Sequence, residues 1–112
     1  MTLDEQQQAL KSFASRMEQT LLKKGNDYAA LSDRLSNFKL SGAICNLSAE
    51  QVCLSLIATK VSRLGNLLGA NLPPDNEIID DSLLDLANYA VLLHMLLLEK
   101  QQNAVLTTNH QP

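Results

Sequence analysis

Apolar residues recur at three- and four-residue steps along most of the chain, a spacing that places them on one face of an α-helix. Start and stop signals then divide the chain into helices with short turns between them. The first predicted helix runs from Thr2 or Leu3 to Lys23, and the second runs from Asp33 to about Ser41 with Ser32 as its cap. The third begins at the capping box Ser48-Ala49-Glu50-Gln51 and ends at about Gly69. The fourth runs from about Asn76 to Gln102 or beyond.

The pattern therefore predicts an all-α fold, a four- to five-helix bundle in a single domain over residues 1–112. The segment Gly25-Asn26-Asp27 is expected to form a turn after the first helix, because glycine and asparagine favour turns. The polar tail is expected to be frayed from about residue 105, as chain ends commonly are.

The last predicted helix is too apolar to be covered by the rest of so short a chain. Between Leu83 and Leu98 its apolar side chains cover well over half of the circumference. A helix of this kind is usually buried on nearly all sides. We therefore predict a homo-oligomer that forms through the C-terminal helix, most simply by packing it against its own copy.

A polar stripe interrupts this helix. At about 100° per residue, Asp81, Asp85 and Asn88 fall within roughly 60° of one another on the helical wheel. Such a stripe can bind a divalent cation such as Mg²⁺ through Asp81 and Asp85, pair with cationic side chains, or face water. The pattern alone leaves these three interpretations open.

The preceding helix places two cations where apolar residues are expected. Lys60 and Arg63 both lie within an apolar arc of about 200° that follows from the helical period. Arg63 is near its edge and can extend to water, whereas Lys60 is deeper and needs an anionic partner. Asp81 and Asp85 are the nearest candidates. A structural ion pair and a small-molecule site, in which the cations meet phosphate, explain this placement equally well.

Composition narrows the function classes. The formal net charge of -3 argues against a general nucleic-acid binder, which depends on many Lys and Arg residues. The polar N-terminus does not resemble a secretory signal, and Asp85, Asn88 and His94 interrupt an apolar run already shorter than a membrane span. Cys45 and Cys53 lack zinc-site spacing. We expect a cytoplasmic protein that does not contact membrane, with idle thiols.

Four short motifs follow one another between about residues 20 and 95. They are Lys24-Gly25-Asn26-Asp27-Tyr28, Asp33-Arg34-Leu35-Ser36-Asn37-Phe38-Lys39, Lys60-x-x-Arg63-Leu64 and Asp81-x-x-x-Asp85-Leu86-Ala87-Asn88-Tyr89-Ala90. In this order they resemble the phage and prophage proteins grouped as nucleotide modification associated domain 1. That family looks related to the all-α nucleotide pyrophosphohydrolases of the MazG and dimeric deoxyuridine triphosphatase type, helical oligomers that bind nucleotides through magnesium.

The chain departs from those hydrolases in its acidic residues. Asp81 and Asp85 can stand for one of the two acidic pairs of those enzymes, but the Glu-x-x-Glu pair is missing. Glu77-x-x-Asp80 matches the spacing of the other pair, yet it lies in the first turn of a helix, where acidic residues are common in any case. Hydrolysis of a phosphoanhydride needs more carboxylates than two to hold the metal and orient water. The resemblance therefore implies nucleotide binding more than turnover.

The predicted function is a phage-type protein that binds or sequesters a nucleotide or a nucleotide-derived immune signal in the host cytoplasm. The alternatives are a Mg²⁺-dependent nucleoside triphosphate pyrophosphohydrolase and a helical interaction module without a ligand. An aromatic side chain such as Tyr28, Phe38 or Tyr89 is expected to contact the base. The predicted ligand-binding residues are Lys24, Asp27, Tyr28, Arg34, Asn37, Lys39, Lys60, Arg63, Asp81, Asp85 and Asn88.

Overall fold

The structure is a computed structural model that describes the backbone of residues 1–28 and 33–109 and the side chains of residues 1–23 and 33–106. Four helices and no strand occur in these ranges, which confirms the predicted all-α class. They are α1 (Leu3–Tyr28), α2 (Ser36–Cys45), α3 (Ala49–Gly69) and α4 (Glu77–Asn109).

Helix α1 is longer than predicted. It was expected to end at Lys23 and to be followed by a turn through Asp27, but its backbone stays helical to Tyr28. The prediction places Gly25 in the turn that follows the helix. A single glycine lowers helix stability by only about 1 kcal/mol, so it does not by itself end a helix.

The start of α2 also differs from the prediction. Ser32 lies outside the described residues, and the helix begins at Ser36 rather than at Asp33. The Asp33 carboxylate accepts a hydrogen bond from the Leu35 backbone N–H at 3.0 Å, which forms a local turn before the helix. The helix continues past the predicted Ser41 and ends at Cys45, followed by Asn46 in the left-handed conformation at φ 57°.

The predicted start of α3 is confirmed by its capping box. The Ser48 hydroxyl accepts a hydrogen bond from the Gln51 backbone N–H at 3.0 Å, and the Gln51 side chain accepts one from the Ser48 N–H at 2.9 Å. The helix ends at Gly69, as predicted. Asn76 caps α4 by accepting from the Ile78 N–H at 2.9 Å. Helix α4 stays helical to Asn109, beyond the point at which the tail was expected to fray.

The antiparallel pair of α3 and α4 contains the centre of the fold. Cys53 on α3 is fully buried, and its Sγ donates a hydrogen bond to the Tyr89 carbonyl at 3.3 Å. Leu35 and Phe38 from the start of α2 and Leu96 from α4 complete this core. Burial raises the pKa of the Cys53 thiol, which agrees with the expectation of an idle, buried cysteine, whereas Cys45 is exposed.

Helix α1 packs more loosely than the others. Its contact with α4 includes an ion pair between Arg16 and Asp80, and the hydrogen bond in this pair raises the pKa of Arg16. Residues 1–12 are all exposed. The described part of the chain measures 59 × 34 × 23 Å, so it is elongated.

Two helices expose apolar faces. The predicted apolar arc of α3 is only partly covered by α4, because Leu54, Val61 and Leu68 are each more than half exposed. On α4, Leu83 and Leu97 are 44% and 45% exposed. A single chain therefore leaves much of the apolar surface of these helices in contact with water.

Helix α4 also meets a length and composition criterion for a membrane span. The stretch Glu77–Leu106 has a mean hydropathy of 1.3 over its most apolar window, and 22% of that window is buried. Helices Ser36–Cys45 and Ala49–Gly69 also meet the criterion when they are taken together as one span, although they are bent by 95°. Such helices are weak evidence, since core helices of soluble proteins pass the same test. Cytoplasmic location without membrane contact stays a prediction.

Two helical glycines should respond oppositely to replacement by alanine. A Cβ at Gly42 would lie 2.6 Å from the Leu47 carbonyl oxygen, where the end of α2 approaches the chain leading into α3, whereas a Cβ at Gly65 meets nothing within 4 Å. We expect Gly42→Ala to lower the free energy of unfolding by about 1–3 kcal/mol. Gly65→Ala should raise it by about 0.5–1 kcal/mol through helix propensity. Urea unfolding followed by circular dichroism measures both, and equal effects would contradict the packing at Gly42.

Candidate functional site

Lys60 on α3 forms an ion pair with Asp85 on α4. The Lys60 Nζ lies 3.1 Å from the Asp85 Oδ2, and the two side chains are 21% and 33% exposed. This confirms the interpretation that the lysine inside the apolar arc of α3 meets a carboxylate of the polar stripe. The pair is therefore a structural contact between α3 and α4.

Arg63 and Asp81, one helical turn away from this pair, are exposed. Within the described side chains, neither forms an ion pair. Both line a cavity of about 360 Å³, which we call the polar cavity. Its lining consists of Thr20, Lys60, Arg63, Ile78, Asp81, Ser82, Leu84 and Asp85. This cavity brings together four of the predicted site residues.

A second cavity, of about 490 Å³, lies beside the first, and we call it the apolar cavity. Thr20 and Asp85 line both cavities, so the two are adjacent. Most of its lining is aliphatic or aromatic, and its predicted site residues are Arg34, Asn37, Asp85 and Asn88. The full lining is Thr20, Leu21, Leu22, Arg34, Leu35, Asn37, Phe38, Ser41, Val52, Leu56, Asp85, Asn88, Tyr89, Leu92 and Met95.

Asn88 is the most buried polar residue of the predicted set. It is 7% exposed, and its Oδ1 is buried without a hydrogen-bond partner among the described residues. Buried amide oxygens nearly always have a partner, because leaving one unpaired costs about 1–3 kcal/mol. This oxygen is therefore the strongest sign of an external ligand or water in the apolar cavity.

Lys39 lies apart from both cavities. Its Nζ contacts the Asp33 carboxylate at 2.7 Å and the Glu99 carboxylate at 2.5 Å, so it links the start of α2 to α4. The hydrogen bond to Asp33 is the main cause that raises the pKa of Lys39 and lowers the pKa of Asp33. The structure gives Lys39 a structural role that the sequence did not indicate.

The remaining predicted residues divide into two groups. The side chains of Lys24, Asp27 and Tyr28 lie outside the described residues. Arg34 lines the apolar cavity and also donates a hydrogen bond to the Leu22 carbonyl at 3.0 Å, which connects α1 to the segment before α2.

Sequence reasoning missed Thr20, although it lines both cavities. A signal existed, since Thr20 is a polar residue at helical spacing from Met17 and Phe13 on the otherwise apolar stripe of α1. Arg16 was missed as well. Its partner Asp80 was considered only as a possible acidic ligand.

The acidic residues fit a magnesium site poorly. The Asp85 carboxylate already forms an ion pair with the Lys60 ammonium group, and the Asp80 carboxylate forms one with the Arg16 guanidinium group. Among the side chains of residues 1–23 and 33–106, no group of three or more His, Cys, Asp and Glu residues is placed to bind a metal ion. Mg²⁺ prefers octahedral oxygen coordination with carboxylates free to approach it. Asp81 and Asp85 alone do not provide that environment.

No protein-family model, curated protein or solved structure matches this chain. The resemblance to the nucleotide modification associated domain 1 family therefore stays a prediction that depends on the four motifs. The class that the structure itself defines is a small all-α protein with a charged cleft between α1, α3 and α4.

Removing the Lys60 side-chain charge should destabilise the fold, because it leaves the half-buried Asp85 carboxylate without its cation. We expect Lys60→Met to lower the free energy of unfolding by about 1–2 kcal/mol, which is below the about 1.5–3 kcal/mol of a hydrogen bond to a charged group because both side chains are partly exposed. The matched control is Arg63→Met, three residues along the same helix at an exposed position, which should change it by less than about 0.5 kcal/mol.

Urea unfolding of these variants and of the double variant Lys60→Met, Asp85→Leu gives the measurement. The double variant should recover part of the loss, because no unpaired carboxylate remains. Equal unfolding free energies for Lys60→Met and Arg63→Met would contradict a stabilising ion pair.

Proposed function

We propose that this protein binds a nucleotide or nucleotide-derived molecule across the two adjacent cavities. The observation that carries the proposal is Asn88, which lines a cavity of about 490 Å³ and whose buried Oδ1 has no hydrogen-bond partner among the described residues. Small-molecule sites are typically concave, largely apolar and furnished with a few precisely placed polar groups. The apolar cavity has this character and a volume within the usual range for such sites.

The polar cavity supplies the group that would meet phosphate. Lys60 is neutralised by Asp85, but Arg63 is exposed and has no ion pair within the described part of the chain. A planar guanidinium group binds phosphate oxygens in a bidentate manner, which favours Arg63 as the phosphate contact. Asp81, in the same cavity, limits the negative charge that the site tolerates.

Binding is favoured over hydrolysis. Asp85 is paired with Lys60 and Asp80 with Arg16, which leaves Asp81 as the carboxylate of the polar cavity without an ion pair among the described side chains. A single carboxylate is too little to hold a magnesium ion and orient water. The alternative of a Mg²⁺-dependent pyrophosphohydrolase therefore has no set of ligands within the described residues to support it.

The family resemblance extends the proposal to its biological setting. A phage-type cytoplasmic protein that binds a nucleotide without turning it over is suited to handling modified nucleotides or to sequestering a nucleotide signal of host immunity. Sequestration requires only affinity and abundance, because each bound molecule is withdrawn from its receptor by mass action.

We further propose that the protein is a homo-oligomer that forms through α4. Leu83, Leu97 and Leu98 on this helix are 43–45% exposed in the single chain. Leu83, Ala90 and Leu97 follow one another at seven-residue spacing, the repeat by which helices pack against each other along a seam. A second copy would remove this apolar surface from water.

Nucleotide binding can be tested by differential scanning fluorimetry with nucleoside mono- and triphosphates and cyclic nucleotides, with and without Mg²⁺. We expect a rise in Tm with at least one nucleotide and no released product. Arg63→Gln should weaken binding by about 10-fold or more, because it removes a charge-assisted hydrogen bond to phosphate. The control Lys11→Gln removes an exposed cation that lines neither cavity and should bind as the wild type does.

Three results would change the conclusion. Products that appear only with Mg²⁺ would indicate the pyrophosphohydrolase instead. No response to any nucleotide would leave the helical interaction module. Equal weakening by Arg63→Gln and Lys11→Gln would contradict a phosphate contact at the polar cavity.

The oligomer can be tested by analytical ultracentrifugation at micromolar concentration. We expect the wild type to sediment well above the 12.3 kDa of one chain, and Leu97→Lys to shift it towards the monomer, because a charge on the α4 face opposes its burial. Val61→Lys is the matched control on the exposed face of α3 and should keep the wild-type mass. A wild-type monomer contradicts the proposal, and dissociation by Val61→Lys alone would place the interface on α3.

A further inference from the structure

The Oδ1 of Asn88 is a hydrogen-bond acceptor to which the described residues supply no donor. The residue is 7% exposed, and the atom itself is buried. Removing an amide oxygen from water without a replacement donor costs free energy, so folded proteins rarely keep such an atom. Asn88 lines a cavity large enough for a ligand, so a bound molecule is one source of that donor.

The walls around Asn88 indicate what kind of molecule carries that donor. Phe38, Tyr89 and Leu92 line the same cavity, and Phe38 is itself buried. Aromatic and aliphatic walls suit the two faces of a flat ring.

We propose that Asn88 is a specificity-determining residue whose Oδ1 accepts a hydrogen bond from an amino or imino N–H on the edge of a nucleobase. The inference rests on the proposed function and names the part of the nucleotide that enters the apolar cavity. An edge N–H is a directional donor on a flat ring, which matches a buried acceptor beside aromatic and aliphatic side chains.

This assignment orients the whole ligand. The apolar and polar cavities share Thr20 and Asp85, and Arg63 lines only the polar one. With the base against Asn88, the sugar lies at the junction, where the Thr20 hydroxyl and the Asp85 carboxylate are available to its hydroxyl groups. The phosphate then reaches the polar cavity and Arg63.

The inference makes a specific claim about selectivity. A site built around a buried acceptor rejects an analogue that lacks the matching donor, because the acceptor is then left unpaired in the complex. A water molecule that satisfied Asn88 instead would have no such effect on base selectivity. Base selectivity therefore distinguishes a ligand contact from a hydrated structural amide.

The experiment compares nucleotides that differ in one donor. The pairs are adenosine and purine riboside, inosine and 1-methylinosine, uridine and 3-methyluridine, and cytidine and N4,N4-dimethylcytidine, each in the phosphate form that the wild type binds most tightly. Titration calorimetry gives Kd for the wild type, Asn88→Leu and Asn66→Leu. Asn66 is the control, an exposed amide on α3 that lines neither cavity.

We expect the wild type to prefer the donor-bearing member of at least one pair by about 10- to 100-fold. Asn88→Leu should reduce that preference to about 2-fold or less, whereas Asn66→Leu should keep it. Asn88→Leu should also unfold at the same or a higher urea concentration, because it removes an unpaired polar atom without a large change in volume. If the leucine variant fails to fold, Asn88→Ala serves for the same comparison.

The outcomes separate the two proposals. Nucleotide binding without any preference within the pairs, or with a preference that survives Asn88→Leu, overturns the role of Asn88 and keeps the proposed function. No binding of any nucleotide overturns the proposed function and this inference together.

Discussion

The close antiparallel packing of α3 against α4 determines most of what this molecule can do. Cys53 on α3 is fully buried and donates a hydrogen bond to the backbone of α4 at Tyr89, so the two helices are in direct contact there. The same pairing brings Lys60 to Asp85 at 3.1 Å. The core contact and the charged contact are consequences of one register between two helices.

That register divides the cleft into chemically distinct halves. Towards the core, Phe38, Tyr89 and Asn88 surround an apolar cavity, and towards the start of α4, Arg63 and Asp81 border a polar one. A ligand with a flat apolar end and an anionic end matches this division. The ion pair between Lys60 and Asp85 lies near the boundary and reduces the positive charge that Lys60 can offer, so Arg63 carries most of the attraction for an anion.

The chain folds around a small core. Its radius of gyration is 17.2 Å, compared with about 13 Å for a compact domain of this length. The difference reflects an α1 whose first residues are exposed and an α4 of 33 residues, which is longer than α3. Leucine and valine side chains left in water on α3 and α4 carry a free-energy cost that a second copy would relieve.

The sequence by itself determined the helical class, the capping box at Ser48 and the need of Lys60 for a carboxylate, because these follow from periodicity and from local chemistry. The sequence could not show that Lys39 pairs with Asp33 and Glu99 instead of lining the cleft. It also could not identify Thr20 as a residue that lines both cavities. It also grouped Arg63 with Lys60, although of these two only Lys60 forms an ion pair with another described side chain. Which side chains meet depends on how helices distant in sequence pack together, and that the tertiary structure alone decides.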